Sequence, residues 1–396
     1  MILANKKTLT NIVFNAIATI LPLAVLQVFV YPNVSRVLGD DSYALMLTIY
    51  SVWVLVAGTL AGAINSSKIV ANGEYVKKKL NGDYPIIIKN WLVISSVVCF
   101  LVVWYYLGSF SFLHIVFSVV VSCLMFIQMY LESGFRIDID YQNLLINKIV
   151  LSIGYVIGYF LTYLTKYWEL IFIFGYGLSI LFCIYKSSIR KEESIKTGLY
   201  NSTLSDCYMY ATSNFISNAV NYADKLILYP LIGSTALSIY YVSTLLGKVV
   251  NTGANTIRDV ILSNVSKETN NDKDTFIKLI KLVLVIVIVG YFGIVVIGKY
   301  ILSFLYPQLI DEVITYLPIT TAASMLDVIA TIIHPFTLKY CEAKYQMVFS
   351  GVSGIAYFIF SLLLWYFFGL KGFCFGTIVG QLIRIVLMLV IYFKES

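Results

Sequence analysis

Long apolar segments recur along the whole chain, and they constrain its fold more than any other feature. Each runs for about 20 residues, the length that a helix needs to cross the hydrocarbon core of a bilayer. The segments are continuous apolar runs without the alternating pattern of an outer-membrane barrel. Twelve such segments are separated by Gly, Pro, Asn or charged clusters, and they begin near Asn11, Tyr43, Trp91, Phe112, Ile149, Trp168, Cys207, Thr235, Leu279, Val313, Met347 and Phe373.

The composition agrees with a chain that is surrounded by lipid. Of the 396 residues, 59% are hydrophobic and 12% are charged, whereas soluble domains have about 25% charged residues. The formal charge of +7 does not indicate nucleic-acid binding, because no soluble face is left to carry a basic patch. We therefore predict an all-α polytopic membrane protein with about twelve transmembrane helices, with the bilayer as a partner and no nucleic acid.

Lys and Arg residues are distributed unevenly between the predicted loops. If the amino terminus is cytoplasmic, 21 of the 28 Lys and Arg residues lie on the cytoplasmic side and four lie outside. Positively charged loops resist translocation and stay on the cytoplasmic side. The asymmetry predicts a multi-pass protein of the cell (inner, cytoplasmic) membrane with both termini in the cytoplasm. The four residues predicted outside are Arg36, Lys166, Lys299 and Lys371.

A long polar connection divides the chain into two halves. It is KSSIRKEESIKTGLYNSTLS at residues 186–205, with six predicted segments on each side. VLGDDSYALMLTIYSV around Gly39 is similar to PLIGSTALSIYYVSTL around Gly233, each at the first hairpin of its half. Parallel six-helix repeats are one of the transporter designs, with the substrate path between them. We predict an amino-terminal six-helix lobe of residues 1–198 and a carboxyl-terminal six-helix lobe of residues 199–396.

The sequence has no motif that indicates catalysis, a metal or a cofactor. It lacks a Gly-rich phosphate loop, HExxH and a nucleophile elbow. The six cysteines form no CxxC pair, and neither His114 nor His334 has a second ligand at metal spacing. We predict no cofactor, no metal site and no enzymatic activity.

Two stretches carry a resemblance to a known family. NAIATILPLAVLQVFVYPNVSRVLGDDSYALMLTIYSV at residues 15–52 resembles the opening of polysaccharide-exporter flippases, which export O-antigen and capsular repeat units. NAVNYADKLILYPLIGSTALSIYYVSTLLGKVVN at residues 218–251 resembles their seventh and eighth helices, with Asp224, Gly233 and Tyr240 at matching places. Their multidrug/oligosaccharidyl-lipid/polysaccharide exporter superfamily also holds multidrug and toxin extrusion antiporters and lipid II flippases. The resemblance implies their V-shaped exporter fold, with two six-helix lobes.

The resemblance implies transport rather than covalent chemistry. It implies a flippase that moves undecaprenyl-diphosphate-linked oligosaccharide repeat units to the outer leaflet for O-antigen (lipopolysaccharide) or capsule assembly. An ion-coupled multidrug antiporter of the same fold and a membrane-embedded polysaccharide polymerase are the alternatives. The expected partners are the lipid-linked oligosaccharide, H⁺ or Na⁺ as a coupling ion, and other polysaccharide-assembly membrane proteins.

Ionisable residues inside apolar segments are candidates for function, because each costs about 2.5–3.5 kcal/mol on insertion scales. We expect them in the second half only, with neutral polar groups such as Gln128 in the first. A lipid diphosphate is a concentrated negative charge, so a cavity that accepts it needs cations. The predicted substrate-binding cations are Lys248, Arg384, Lys225 and Arg36.

Two acidic residues are the predicted ion-coupling sites. Asp327 has no neighbouring cation in sequence, so it is a candidate for binding a proton or sodium ion. Pairing with Arg384 or Lys248 across the bundle is the alternative. The second, Asp224, precedes Lys225, but adjacent helical positions point about 100° apart, so the two need not neutralise each other.

The charge asymmetry predicts the sidedness of four positions. Cysteines introduced at Asp40 and Lys371 should react with an impermeant thiol reagent added outside intact cells, because both lie in predicted outer loops. Cysteines at Lys78 and Lys191 should not react from outside. Labelling of position 191 by the external reagent would contradict the division into six plus six helices.

Overall fold

The chain is folded into helices joined by short connections. The computed structural model describes residues 6–107, 112–265, 273–341 and 344–395, and these ranges contain no strand. π-helical turns at Val25–Val30 and Val54–Gly58 join α1 to α2 and α2 to α3, and Ser188–Lys191 forms a 3₁₀ turn. The predicted all-α class is confirmed. The helices are α1 (Lys6–Ala24), α2 (Tyr31–Trp53), α3 (Thr59–Lys78), α4 (Asp83–Leu107), α5 (Phe112–Ile137), α6 (Tyr141–Thr165), α7 (Glu169–Lys186), α8 (Tyr200–Ile232), α9 (Ser234–Val265), α10 (Lys273–Leu305), α11 (Ile310–Tyr340) and α12 (Lys344–Glu395).

Three glycines break the helical path. Gly39 within α2 has φ 79° and ψ 174°, and Gly233 between α8 and α9 has φ 95° and ψ 176°. Gly369 within α12 has φ 58° and ψ −142°. Glycine adopts a positive φ at little cost because it has no Cβ. With Gly39 and Gly369 counted as breaks, the described ranges hold twelve long helical stretches, as predicted.

The sequence pattern shared by the two halves has a counterpart in the backbone. Gly39 and Gly233 occupy matching positions of the two similar sequences, and they have nearly the same φ and ψ. Similar sequence therefore encodes the same local turn at both places. This favours an internal repeat, although the boundaries of the two predicted lobes stay a prediction.

Eight segments of the described chain are long and apolar enough to cross a membrane. Two of them, Val13–Lys78 and Gly351–Glu395, contain the breaks at Gly39 and Gly369 and so hold two helical stretches each. α8 and α9 are not among the eight, since their sequences carry many Asn, Ser, Thr and Tyr residues. The chain is a multi-pass membrane protein in which two polar long helices flank Gly233.

Some helices begin earlier than hydropathy predicts. The predicted starts of the third and fifth segments were near Trp91 and Ile149, whereas α4 begins at Asp83 and α6 at Tyr141. The additional turns carry polar and charged residues. Hydropathy detects only the part of a helix that lies in hydrocarbon, and these two helices continue past it at their predicted cytoplasmic ends.

The chain forms two compact units, Met1–Ser234 and Thr235–Ser396. In the first unit α6 packs against α1 and α7, and α8 packs against α2, α3 and α4. In the second unit α11 packs against α10 and α12, around a buried cluster that includes Phe276, Phe336 and Tyr392. By its packing α8 belongs to the first unit, whereas the predicted lobes assign it to the second half.

α6 and α7 approach closely because α6 presents two glycines one turn apart. A Cβ added to Gly154 would lie 2.6 Å from the carbonyl oxygen of Phe174, and one added to Gly158 would lie 2.5 Å from the Cα of Ile171. Small residues at this spacing let membrane helices pack backbone to backbone. These two positions therefore have no room for a side chain.

Replacing Gly158 by Ala should weaken this packing, because the new methyl group meets backbone atoms that cannot rotate away. Overpacking costs roughly 1–3 kcal/mol, so we expect Gly158→Ala to lower the melting temperature of the detergent-purified protein. Gly177→Ala on α7 is the matched control, since nothing lies within 4 Å of its added Cβ and Ala favours a helix over Gly. A melting temperature for Gly158→Ala that equals or exceeds that of the control would contradict the close approach.

Candidate functional site

Asp327 lies at a polar contact between three helices of the second unit. Arg384 of α12 donates from Nη1 to Asp327 Oδ1 at 2.9 Å, and Asn251 of α9 donates from Nδ2 to Asp327 Oδ2 at 3.0 Å. Both carboxylate oxygens are therefore used. The side chains of Asp327 and Arg384 are 28% and 29% exposed, so water or a ligand can still reach the pair.

Close packing between α9 and α11 positions Asn251 beside Asp327. A Cβ on Gly247 of α9 would overlap the hydroxyl of Ser324 on α11, so glycine lets the two helices touch at this level. Asn251 follows Gly247 by one turn and Asp327 follows Ser324 by nearly one turn. One turn further along both helices, the amide of Asn251 therefore meets the carboxylate of Asp327.

The sequence left two roles open for Asp327, an ion-binding carboxylate or a partner of Arg384 or Lys248. The structure has the partnership with Arg384. A charge-assisted hydrogen bond of this length fixes the direction of the guanidinium. Any cation that binds Asp327 must therefore compete with Arg384 for the same oxygens.

Lys248 lies on α9 three residues before Asn251 and therefore on the same side of that helix. Its ammonium nitrogen is 4.6 Å from the centre of the Tyr241 ring. This cation–π contact orients the ammonium. The second unit thus holds three of the predicted site residues, and Asp327 and Arg384 are in direct contact.

The other three predicted site residues lie in the first unit. Asp224 and Lys225 of α8 are buried, and Lys225 Nζ is 3.1 Å from Asp224 Oδ1. The sequence left open whether these neighbours pair, and in the structure they do, because the four-carbon lysine stem folds back across the 100° offset between their side chains. Arg36 is exposed on α2, three residues before Gly39.

Buried charges also occur in the first half of the chain, where only neutral polar groups were expected. Glu132 of α5 is 6% exposed, and its carboxylate accepts from Lys148 of α6 at 2.5 Å and from Gln128 at 2.6 Å. Arg136 lies 3.4 Å from the same carboxylate. The signal was present in the sequence, since Gln128, Glu132 and Arg136 are spaced by four and so share one helical face.

Two further ionic contacts of the first unit were also missed. Lys68 of α3 is buried, donates to Tyr130 Oη at 3.1 Å and pairs with Glu192. His114 Nδ1 lies 2.7 Å from Oε1 of Glu169, whose side chain is fully buried. These contacts had no signal in the sequence, because partners so distant along the chain leave no local pattern.

The comparisons with known proteins identify the fold. No protein-family model and no curated protein matches the chain. The solved structure of the lipid II flippase MurJ, inward closed conformation, gives a TM-score of 0.77 at 16% identity, over 96% of this chain and 87% of that chain. An outward-facing multidrug resistance MATE family transporter of the MOP superfamily gives a TM-score of 0.65 at 12% identity, over 97% of this chain and 94% of that chain. The chain has the MOP exporter fold.

The exporter fold extends over nearly the whole chain. The Vibrio cholerae MATE transporter VcmN in the bent form also matches, with a TM-score of 0.61 at 12% identity over 96% of this chain and 94% of that chain. These structures are of a flippase and of transporters rather than of enzymes. At such identities only the fold is transferred, so the roles of individual residues depend on the contacts described above.

The contact between Asp327 and Arg384 predicts that substitutions at the two positions are coupled. Asp327→Asn and Arg384→Gln should each lower the melting temperature of the purified protein, because each leaves one charge in the membrane without its partner. The double variant should be more stable than the sum of the single effects predicts, with a coupling energy of roughly 0.5–3 kcal/mol. Strictly additive effects would mean that the two side chains do not interact in the folded protein.

Proposed function

We propose that this chain is a flippase of the cytoplasmic membrane that translocates undecaprenyl-diphosphate-linked oligosaccharide repeat units for O-antigen or capsule assembly. The observation that carries the proposal is the fold match to a lipid II flippase along 96% of the chain, with a TM-score of 0.77. The MATE structures described above match less well, at 0.65 and 0.61. The resemblance of residues 15–52 and 218–251 to polysaccharide exporters points in the same direction.

The charged side chains of the second unit suit an anionic substrate. Lys248 and Arg384 are the cations that we assign to the diphosphate, with Lys225 and Arg36 as further candidates. Arg384 binds a carboxylate in the structure, so it becomes available only when that contact opens. Lys248 lies 4.6 Å from the centre of the Tyr241 ring and three residues before Asn251, which contacts Asp327.

Ion coupling follows from the competition at Asp327. A proton or Na⁺ that binds the carboxylate removes the charge that holds Arg384, and the guanidinium can then turn to the diphosphate. When the ion dissociates, Asp327 and Arg384 pair again and the substrate is released. Asp224, which pairs with Lys225 in the first unit, is the second candidate for the same exchange. The energy would come from the ion gradient, with both termini of the chain in the cytoplasm.

A multidrug antiporter is the second candidate function. The MATE structures share the fold over nearly the whole chain, so the fold is compatible with either function. The two candidates differ in the charge of the substrate. A cationic drug would be repelled by Lys248 and attracted only to a carboxylate that is not already paired.

A deletion strain distinguishes these functions. If the chain is the flippase, we expect undecaprenyl-diphosphate-linked repeat units to accumulate on the cytoplasmic leaflet and surface polysaccharide to be lost. Loss of an antiporter would leave the polysaccharide intact and make cells sensitive to cationic compounds, and loss of a polymerase would leave single repeat units on the outer side. Normal surface polysaccharide, with no second flippase present, would contradict the proposal.

Complementation of the deletion strain then tests the assigned cation. Lys248→Ala should fail to restore the polysaccharide, because it removes charge-assisted hydrogen bonds of roughly 1.5–3 kcal/mol to the diphosphate. Lys248→Arg should restore more, since it keeps the charge. Lys299→Ala, at an exposed position of α10, is the control that loses a cation away from the assigned site. Full export by Lys248→Ala would mean that Lys248 does not bind the diphosphate, but it would not contradict the assignment as a flippase.

A further inference from the structure

The first unit contains a polar cavity that the proposed function does not use. It lies where α3 ends, where the chain turns into α4, and where the segment before α8 passes over that turn. Its volume is about 250 Å³, below the roughly 300–1,000 Å³ of sites for drug-sized ligands. The cavity therefore fits a phosphate-sized group with a small substituent. Its polar lining includes Lys68, Asn72, Lys79, Asn81, Tyr84 and Glu192.

The wall of the cavity is held by short contacts. A Cβ on Gly82 would lie 2.6 Å from the carbonyl oxygen of Ile195, so the segment before α8 packs directly on the turn between α3 and α4. Asp83 accepts from the backbone N–H of Thr197 and from the hydroxyl of Tyr75, both at 2.7 Å. The turn between α3 and α4 and the segment before α8 are therefore in direct contact beside the cavity.

Three carboxylates in or beside the cavity have partners within the protein. Glu192 is used by Lys68 and Tyr130, Asp83 by Thr197 and Tyr75, and Glu74 by Lys78 at 2.8 Å. Lys79 also lines the cavity, and among the residues that the structure describes no carboxylate lies within ion-pair distance of it. Lys79 is exposed, so the cavity carries at its open edge one positive charge that no carboxylate of the described residues compensates.

The backbone at Lys79 gives an independent reason to assign a role to its side chain. Lys79 is the residue after the last turn of α3, and it has φ 53° and ψ 37° in the left-handed region. Glycine or asparagine usually occupies this position at the end of a helix, because other side chains are strained there. Residues with a strained backbone cluster at functional sites, and this strained lysine lies beside a cavity.

From the cavity, its uncompensated charge and the strained lysine, we propose that this cavity binds a phosphate group, with Lys79 as the cation and the amides of Asn72 and Asn81 as donors. The ligand is either a small soluble phosphate compound or the headgroup of an anionic phospholipid. Lys77 and Lys78 are exposed on the same predicted cytoplasmic end of α3, as expected beside an anionic leaflet. The inference does not depend on the proposed transport function.

Titration of the detergent-purified full chain with inorganic pyrophosphate, at constant ionic strength, tests the proposal. We expect saturable binding that Lys79→Gly weakens roughly tenfold or more, as for loss of a charge-assisted hydrogen bond. The melting temperature of Lys79→Gly should be equal to or above that of the parent chain, since glycine relieves the backbone strain. Lys79→Arg should retain most of the affinity.

A neighbouring lysine separates specific binding from general attraction. Lys77→Ala removes the same charge at an exposed position that does not line the cavity, and we expect it to change the affinity less than twofold. Short-chain phosphatidic acid in mixed micelles, with phosphatidylcholine of the same chain length as control, identifies a lipid ligand if it raises the melting temperature of the parent chain and not that of Lys79→Gly. The proposal would be overturned if neither pyrophosphate nor phosphatidic acid showed saturable binding. It would also be overturned if Lys77→Ala and Lys79→Gly weakened the binding equally.

Discussion

A peptide group in hydrocarbon has no water to bond with, and every other property of this structure depends on that constraint. Each unsatisfied N–H or C=O costs several kcal/mol in lipid, so the described chain is helical almost throughout. Several of the turns fall on glycine, which adopts a positive φ at little cost because it has no Cβ. Gly39, Gly82, Gly233 and Gly369 are the glycines with a positive φ in the described chain.

The same constraint governs the charged side chains. Three charged residues are buried in the first unit. Lys68 contacts Glu192, Glu132 contacts Lys148, and Glu169 contacts the titratable side chain of His114. In the second unit Asp327 and Arg384 are paired but remain partly exposed. Among the pairs of the described residues, Asp327 and Arg384 therefore combine two partly exposed side chains, whereas these first-unit pairs each contain at least one buried side chain.

At two helix contacts of this protein, glycine lets the backbones approach closely. Lipid is as apolar as leucine, so burial of leucine against another helix gains little in a membrane. Gly154 and Gly158 let α6 touch α7, and Gly247 lets α9 touch α11. The second contact also aligns Asn251 with Asp327, which connects the packing of the helices directly to the geometry of the candidate site.

The sequence by itself determined the membrane class and the twelve helical stretches, because these follow from the lengths of apolar runs. The exporter fold was implied by the resemblance of residues 15–52 and 218–251 to a known family. The sequence also named Asp327 and Arg384 as site candidates, since an ionisable residue inside an apolar run is costly wherever it points. Only the tertiary structure decided which charges meet. The partners Asp327 and Arg384, Lys68 and Glu192, and His114 and Glu169 lie on elements distant in sequence, and their pairing depends on how helices pack, which no local pattern encodes.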